Sequence, residues 1–174
     1  MKFKKIAALA QTATMVLSMT GCTLKIEKVS KKNFIKACVE AGYDEDELEE
    51  YEYDEDEYDG LTYELDIIDD DITLAYLEFD DADDAADYFD DWYDEFEDFD
   101  TKGSSKHVIT KNYGYFVFDG EFDDEWDILN IEDDAYLGVY FADDVVIIAS
   151  AASDSKKDKK VIDAFLDEIG YPKP

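Results

Sequence analysis

Residues 62–79 read TYELDIIDDDITLAYLEF, and this stretch places two strand patterns around a run of three aspartates. Over residues 62–68, apolar side chains alternate with polar ones, which is typical of a strand with one buried face. Residues 69–71 predict a turn. Over residues 72–79, both alternating sets of positions are mostly apolar, which predicts a central strand covered on both faces.

Three helices are predicted around these strands, over residues 30–43, 81–99 and 155–169. In the first, Ser30 is a candidate N-cap and Gly42 occupies the position of a C-terminal cap. The second carries an apolar and aromatic stripe, whereas its other faces are almost wholly Asp and Glu. Because the acids of its last turn oppose the helix dipole, we expect burial to hold this helix.

Further strands are predicted over residues 108–118, 126–131, 136–141 and 145–151, and residues 101–106 are predicted to form a loop. The first and last helices both end in Gly-Tyr. Either an internal duplication or a shared rule of helix termination would produce that likeness. The order of elements predicts an α+β fold: an antiparallel sheet of about four to six strands, with three helices packed mainly on one face.

The N-terminus is typical of an exported protein. Residues 1–5 are basic and residues 6–19 are apolar, which is the composition of a secretory signal. The sequence MTGC at residues 19–22 resembles the lipobox of bacterial lipoproteins. That resemblance implies cleavage between Gly21 and Cys22 and a diacylglycerol on the Cys22 thiol. Two acyl chains are enough for stable anchoring to a membrane.

These patterns predict a division of the chain into three parts. Residues 1–21 are the lipoprotein signal peptide, 22–32 are a lipidated tether, and 33–174 are a single domain with an acidic loop at 44–59. The layout resembles small acidic lipoproteins of Clostridia-like Gram-positive bacteria. This resemblance implies a protein held on the outer face of the cell membrane, and it brings no particular activity with it.

The charge of the chain is strongly negative. Its 16 basic residues are all lysines, and they face 48 acidic residues, so the formal charge is −32. Such a field repels nucleic acid, so nucleic acid is excluded as a partner. It attracts divalent cations and basic peptides. We therefore expect contact with the membrane through lipid on Cys22, and a cationic peptide or an envelope protein as a partner.

A calcium site is the most specific metal hypothesis. The twelve residues 55–66 can be laid on an EF-hand loop, with Gly60 in the sixth position. The ligands would be Glu55, Glu57, Asp59 and Asp66. The flanking segments are predicted as loop and strand instead of paired helices, so weak divalent cation binding by the acidic run is the alternative. No other cofactor is expected.

No catalytic motif is present in the sequence. The single histidine, His107, lies in a loop or at a strand start and is expected to be an exposed polar residue. Cys38 lies on the apolar face of the first helix and is expected to be a small buried side chain. A pair of carboxylates could act as general acid and base, but 48 acids make chance proximity unavoidable.

Five aromatic residues on predicted strands are candidates for an exposed binding patch, with core packing as the alternative. They are Tyr113, Tyr115, Trp126, Tyr136 and Tyr140. We expect the protein to be a non-enzymatic binding or interaction module, anchored at the cell envelope. A carboxylate-dependent hydrolase and a purely structural envelope protein are the alternatives.

Overall fold

A computed structural model of the chain describes residues 24–54, 59–69, 71–122, 134–151 and 155–174. Three α-helices lie in these ranges: α1 (Lys31–Ala41), α2 (Ala82–Glu97) and α3 (Lys156–Ile169). A 3-10 turn at Glu45–Glu47 precedes the first strand. The strands are β1 (Glu49–Glu52), β2 (Leu61–Asp69), β3 (Ile72–Phe79), β4 (Thr101–Ile109), β5 (Tyr113–Phe122), β6 (Asp134–Ala142) and β7 (Val145–Ala151).

The seven strands form one sheet in the order β1-β2-β3-β7-β6-β5-β4, and every neighbouring pair is antiparallel. Each of the groups β1–β3 and β4–β7 consists of strands that follow one another in sequence. Pairing of β3 with β7 joins the two groups at the centre of the sheet. The chain passes from β3 to β4, at the far edge, through α2, so this helix lies across the strands between them.

The core has two layers, one on each face of the sheet. On the first face, α1 and α3 bury Phe34, Cys38 and Phe165 against β2, β3, β6 and β7. On the second face, α2 buries Phe89 and Phe96 against phenylalanines of β5 and β6. Every residue of β7 is buried, because this strand is covered by helices on both sides.

The α+β class and the three helices are confirmed, but the predicted number of strands is wrong. The sheet has seven strands instead of about four to six. Two of the three helices, α1 and α3, lie on one face as expected, and α2 covers the other face. The apolar side chains on both faces of the central strands require this second layer, because a sheet that is apolar on both sides must be covered on both sides.

The unpredicted strands lie at the two edges of the sheet. The run predicted as an acidic loop at 44–59 contains β1, and the segment 101–106 predicted as a loop belongs to β4. All residues of β1 and nearly all of β4 are exposed. A strand that faces water on both sides needs no apolar alternation, so its sequence carries no periodic signal from which the strand could be predicted. The predicted strand at 126–131 lies outside the described residues.

The segment predicted as a tether also differs from the expectation. Ile26 and Val29 are buried in the α1 and α3 layer, at 2% and 4% exposure. The Tyr171 hydroxyl donates a hydrogen bond to the carbonyl oxygen of Glu27 at 2.7 Å. The described part of this segment is therefore packed on the domain and does not behave as a free spacer.

The predicted helix caps are confirmed. The Ser30 hydroxyl accepts a hydrogen bond from the backbone N–H of Asn33, and Gly42 ends α1 with a φ of 113°, a conformation that favours glycine. Gly138 of β6 is required for a different reason. A Cβ at this position would lie 2.0 Å from the Tyr140 hydroxyl, which donates to the carbonyl oxygen of Pro172 at 2.6 Å. The glycine thus makes room for a bond that ties the C-terminal segment to the sheet.

Candidate functional site

Three carboxylates meet on the outer part of the sheet, on the side that faces α2. Asp66 of β2 is 5% exposed, and its sheet partner Ala75 belongs to the α2-side core. Glu49 of β1 lies directly opposite Asp66 in the antiparallel register. Glu64, two residues earlier on the same face, accepts a hydrogen bond from the Tyr53 hydroxyl at 2.6 Å. We call Asp66, Glu64 and Glu49 the carboxylate group.

The environment of this group favours a bound proton. Burial raises the pKa of Asp66 to about 6, and the charges of Glu64 and Glu49 and a hydrogen bond to Glu64 act in the same direction. Burial removes water from the ionised form, and neighbouring negative charges repel it. Like charges directly opposite each other in a sheet are destabilising. The carboxylate group can therefore bind and release a proton slightly below neutral pH.

The alternation of residues 62–68 predicted part of the carboxylate group. Glu64 and Asp66 occupy alternate positions in residues 62–68, so they were expected on one face of a strand. Burial of that face was not expected, because the residues that pair with Asp66 lie on other strands, Glu49 of β1 and Ala75 of β3. Glu49 and Tyr53 lie in the run that was predicted to be a loop. Within the described ranges, no group of three or more acidic, histidine or cysteine side chains is arranged to hold a metal ion.

Of the proposed calcium ligands, the two in the described residues do not lie together. Asp59 lies in a turn with a φ of 43°, whereas Asp66 lies within β2. Six residues separate them, and most of these are in extended conformation, so the two residues are roughly 20 Å apart along the strand. Glu55 and Glu57 lie outside the described residues. The weak divalent binding expected of the acidic run remains a prediction.

His107 of β4 is exposed, as expected, and has specific partners. Its Nδ1 lies 3.0 Å from the Tyr93 hydroxyl, and the two rings are 5.0 Å apart between centroids. The Tyr93 hydroxyl also donates to Glu97 at 2.9 Å. Burial, followed by the bond to Glu97, raises the pKa of Tyr93 to about 12. This arrangement ties the edge strand β4 to α2.

The predicted aromatic patch is mainly core. Tyr115 and Tyr140 are completely buried, and Tyr136 is 6% exposed. Tyr113 is partly buried against the same cluster, and Trp126 lies outside the described residues. Cys38 is buried as predicted, and burial raises the pKa of its thiol to about 12. A thiol that stays protonated at neutral pH is a poor nucleophile.

The N-terminal segment closes one end of the sheet. Lys25 and its neighbours through Lys28 line a cleft of about 510 Å³ together with residues 110–113 and 142–143, which belong to two hairpin turns. Lys28 Nζ lies 2.6 Å from a carboxylate oxygen of Asp144. Gly21 and Cys22, the predicted cleavage and lipidation residues, lie outside the described residues. No helix in the described ranges is long and apolar enough to cross a membrane.

Charge is divided unequally between the strands and between the helices. Among the seven described strands, β4 is the one that carries lysines, Lys102 and Lys106, and it carries no acid. Among the described helices, α2 is the one without a lysine. Sequence reasoning missed β4 as a strand and therefore missed this basic edge. The absence of acids across residues 101–111, in a chain this acidic, was the signal that could have indicated it.

Comparison with known proteins adds little to this description. No protein-family model matches the chain, and no curated protein matches it. Among solved structures, the chain is similar to the extracellular domain of PknH from Mycobacterium tuberculosis, with a TM-score of 0.34 and 10% sequence identity. That match covers 71% of this chain and 77% of the other.

Proposed function

We propose that the protein is an exported lipoprotein, cut between Gly21 and Cys22 and anchored by lipid on Cys22. Its domain then works as a non-enzymatic interaction module on the outer face of the cell membrane. The lipobox and the basic, apolar leader support the anchor. The negative charge of the domain favours a cationic peptide or an envelope protein as partner and disfavours nucleic acid.

One observation carries the geometry of this proposal: the N-terminal segment is bound to the domain. Ile26 is buried, so a lipid on Cys22 is separated from a fixed point of the fold by only four residues. Four extended residues span at most about 14 Å. The anchor would therefore hold the end of the sheet with the turns near Asn112 and Asp143 close to the bilayer surface.

The lysines near the anchor favour one side of the domain as the membrane side. Residues 24–39 contain five lysines and a single acid, Glu27. Lysines close to an anionic membrane surface are each attracted by about 1 kcal/mol. The acidic helix α2 lies on the opposite face of the sheet from α1. We propose that the α1 side tilts toward the headgroups and that the α2 side turns away from them.

The alternative of a carboxylate-dependent hydrolase would rest on Asp66 and Glu64. Asp66 is almost completely buried between strand side chains, and its raised pKa follows from that burial. His107 bonds Tyr93, which is not a nucleophile of the serine or cysteine type. These observations favour the interaction module over the hydrolase.

The anchor is tested with Cys22→Ala in the native bacterium. We expect the unaltered protein to incorporate labelled fatty acid and to partition into a detergent phase. The variant should remain an uncut precursor that takes up no label. Labelling of Cys22→Ala at the level of the unaltered protein would contradict the proposal.

The orientation is tested on the lipidated protein in vesicles, with a fluorophore on a single introduced cysteine. Asn112→Cys and Asp71→Cys place the fluorophore at opposite ends of the sheet, and both positions are exposed. Cys38 does not compete for the label, because it is buried. We expect brominated lipids to quench the fluorophore at position 112 far more than at position 71. Equal quenching at both positions would contradict the orientation while leaving the anchor intact.

A further inference from the structure

The two edges of the sheet are built differently. The β1 edge has four residues, three of which are glutamates (Glu49, Glu50 and Glu52). A short, like-charged edge repels an incoming strand, and proteins commonly protect exposed edges in this way. The β4 edge has nine residues and includes no acid. It differs from β1 in length and in the sign of its charge, because its two lysines disfavour a basic added strand and favour an acidic one.

Within the described part of the chain, the outer side of β4 is unpaired. Eight of its nine residues are exposed, and Val108 is the exception. Its full length pairs with β5, from Thr101 opposite Phe122 to Ile109 opposite Gly114. On its other side, none of the described residues pairs with it. Such an edge presents backbone N–H and C=O groups that an added strand can bind.

The side chains of β4 define what kind of strand would fit. Lys102 and Lys106 occupy alternate positions with Ser104 and so lie on one face of the strand. The Lys106 ammonium lies 5.5 Å from the ring centroid of Tyr115, which holds it over the sheet. On the opposite face, Ile109 is 46% exposed. An added strand would therefore meet positive charge on one face and apolar surface at one end of the other.

The charges next to the β4 edge, and not the net charge of the domain, decide which strand is recognised there. At about 0.15 M salt the screening length is about 8 Å, so side chains of an added strand respond mainly to the residues directly beside them. Opposite charges directly across from each other on neighbouring strands stabilise the pairing. The two lysines thus favour acidic side chains, although the domain as a whole is negative.

We propose that the β4 edge binds an extended segment of a partner polypeptide as an eighth strand, with acidic side chains beside Lys102 and Lys106 and β-branched apolar side chains on its other face. This inference rests on the proposed role as an interaction module. Of the two partners proposed for that module, it favours an envelope protein, one with an acidic extended segment, over a cationic peptide. Backbone hydrogen bonds would supply the affinity, and the lysines would select the sequence.

The binding test uses the full-length lipidated protein in detergent and a labelled peptide, acetyl-Thr-Glu-Val-Glu-Val-Glu-Val-Thr-amide. We expect saturable binding by fluorescence anisotropy. The double variant Lys102→Glu and Lys106→Glu should bind about tenfold more weakly, because two favourable pairs become repulsive. The matched control is Lys156→Glu with Lys157→Glu, two exposed lysines at the start of α3, which should leave the affinity unchanged. An equal loss in both double variants would overturn the proposal.

The location is tested by hydrogen exchange of β4 amides with and without this peptide. We expect the amides of residues 101–109 that point away from β5, about every second one, to exchange rapidly in the free protein and slowly in the complex. A peptide with an N-methylated backbone should give no protection. Protection of these outward amides in the free protein would overturn the proposal, because the edge would already be occupied. Protection that grows with protein concentration alone would do the same, since a second copy would be the occupant. Peptide binding by Cys22→Ala with no lipidation of the native protein would refute the anchor and support the edge site.

Discussion

The two helical layers of this protein contrast in charge. On one face of the sheet, α1 carries three lysines and one glutamate, and α3 carries four lysines and four acids. On the other face, α2 carries eight acids and no lysine. All three helices pack on the same sheet, so the sheet does not explain the difference. The contrast shows two separate ways in which an acidic chain can keep a helix folded.

In the layer of two helices, neighbouring charges compensate each other. Lys36 of α1 pairs with Glu168 near the end of α3. The end of α1 lies near the start of α3, where residues 41–43 share a cleft with residues 157–158 and 161. The helices are therefore antiparallel. Lys31, at the start of α1, opposes the helix dipole, but its ammonium pairs with Glu50 of β1. Tertiary packing thus corrects a charge pattern that is unfavourable within each helix.

The lone helix α2 has no such neighbour. None of the ion pairs between described residues involves it. Its start is stabilised by Asp81, whose carboxylate accepts hydrogen bonds from the N–H groups of Asp83 and Asp84 at 2.8 and 3.0 Å. The stability of the remainder of α2 depends on buried aromatic side chains. For example, the ring centroids of Phe89 and Phe141 are 4.9 Å apart. Apolar packing here outweighs repulsion along the helix.

The largest expected effect tests that dependence on burial. Phe89→Ala and Phe165→Ala each remove a completely buried ring, one from each layer. Each should lower the free energy of unfolding by about 3–5 kcal/mol in urea denaturation. In hydrogen exchange, Phe89→Ala should expose α2 amides while α1 and α3 stay protected. A loss below about 1 kcal/mol for Phe89→Ala would refute the claim that burial holds α2.

The next effect concerns the carboxylate group on the α2 side. Since the pKa of Asp66 rises from 3.8 to about 6 on folding, the folded state binds this proton more tightly than the unfolded state. Its contribution is complete below pH 4 and is lost as the pH rises to about 6. Asp66→Asn should therefore equal the unaltered protein near pH 4 and exceed its free energy of unfolding by about 1–3 kcal/mol at pH 7.

The control for this experiment is Glu52→Gln, an exposed change of the same charge on β1. Thermal and urea unfolding across pH 4–8 should show no comparable pH-dependent gain for this variant. A gain from Asp66→Asn that is as large at pH 4 as at pH 7 would show that proton binding is not its cause.

A smaller effect tests repulsion along α2. Asp87 and Asp91 are exposed and lie four residues apart, with Asp83 and Glu95 one turn further on either side. Like charges at this spacing cost about 0.2–0.5 kcal/mol per pair. Asp87→Asn with Asp91→Asn removes three such pairs and should stabilise the protein by about 1 kcal/mol at low salt. In 0.5 M NaCl, screening should abolish most of this gain.

The matched pair in the other layer should respond with the opposite sign. Asp167→Asn with Glu168→Gln makes the same change of net charge but removes the partners of Lys173 and Lys36. We expect this variant to lose stability or to gain none at low salt. If both double variants gained equally, overall net charge would explain the effect and the contrast between the layers would fail.

The smallest effect concerns the two ends of α2. Asp83 lies in the first turn, where a negative charge suits the helix dipole, and Asp98 caps the end, where it opposes the dipole. Asp98→Asn should therefore be more stable than Asp83→Asn by about 0.3–1 kcal/mol, although both remove one charge. Equal melting temperatures at low salt would show that the dipole contributes nothing measurable here.

Periodicity was sufficient for most segments with one or two buried faces. The Ser30 cap, the start of the third helix near Ser155, the strand at residues 72–79 and the hairpin of β6 and β7 follow the predicted patterns closely. The strand predicted over residues 108–118 is wrong in its bounds, because β4 ends at Ile109 and β5 begins at Tyr113. Periodicity failed at the sheet edges, because β1 and β4 are exposed on both faces and carry no apolar alternation. For the same reason it missed the open basic edge.

Asp66 of the carboxylate group is a second example of a feature that periodicity could not predict. The polar alternation placed Glu64 and Asp66 on a common face, but the pattern could not show that this face is buried. Asp66 acquires its raised pKa from burial and from Glu49, a residue 17 positions earlier in the chain. Its environment therefore depends on the pairing of β2 with its neighbouring strands.

By itself the sequence determined the α+β class, the ends of the three helices, the central strands and the excess of negative charge. These follow from hydrophobic spacing, capping residues and composition, which are local properties of the chain. Tertiary structure alone decided which face of the sheet each helix covers, which acidic residues form ion pairs with lysines, and which strands lie at the edges. These depend on contacts between residues far apart in sequence, so local patterns cannot specify them.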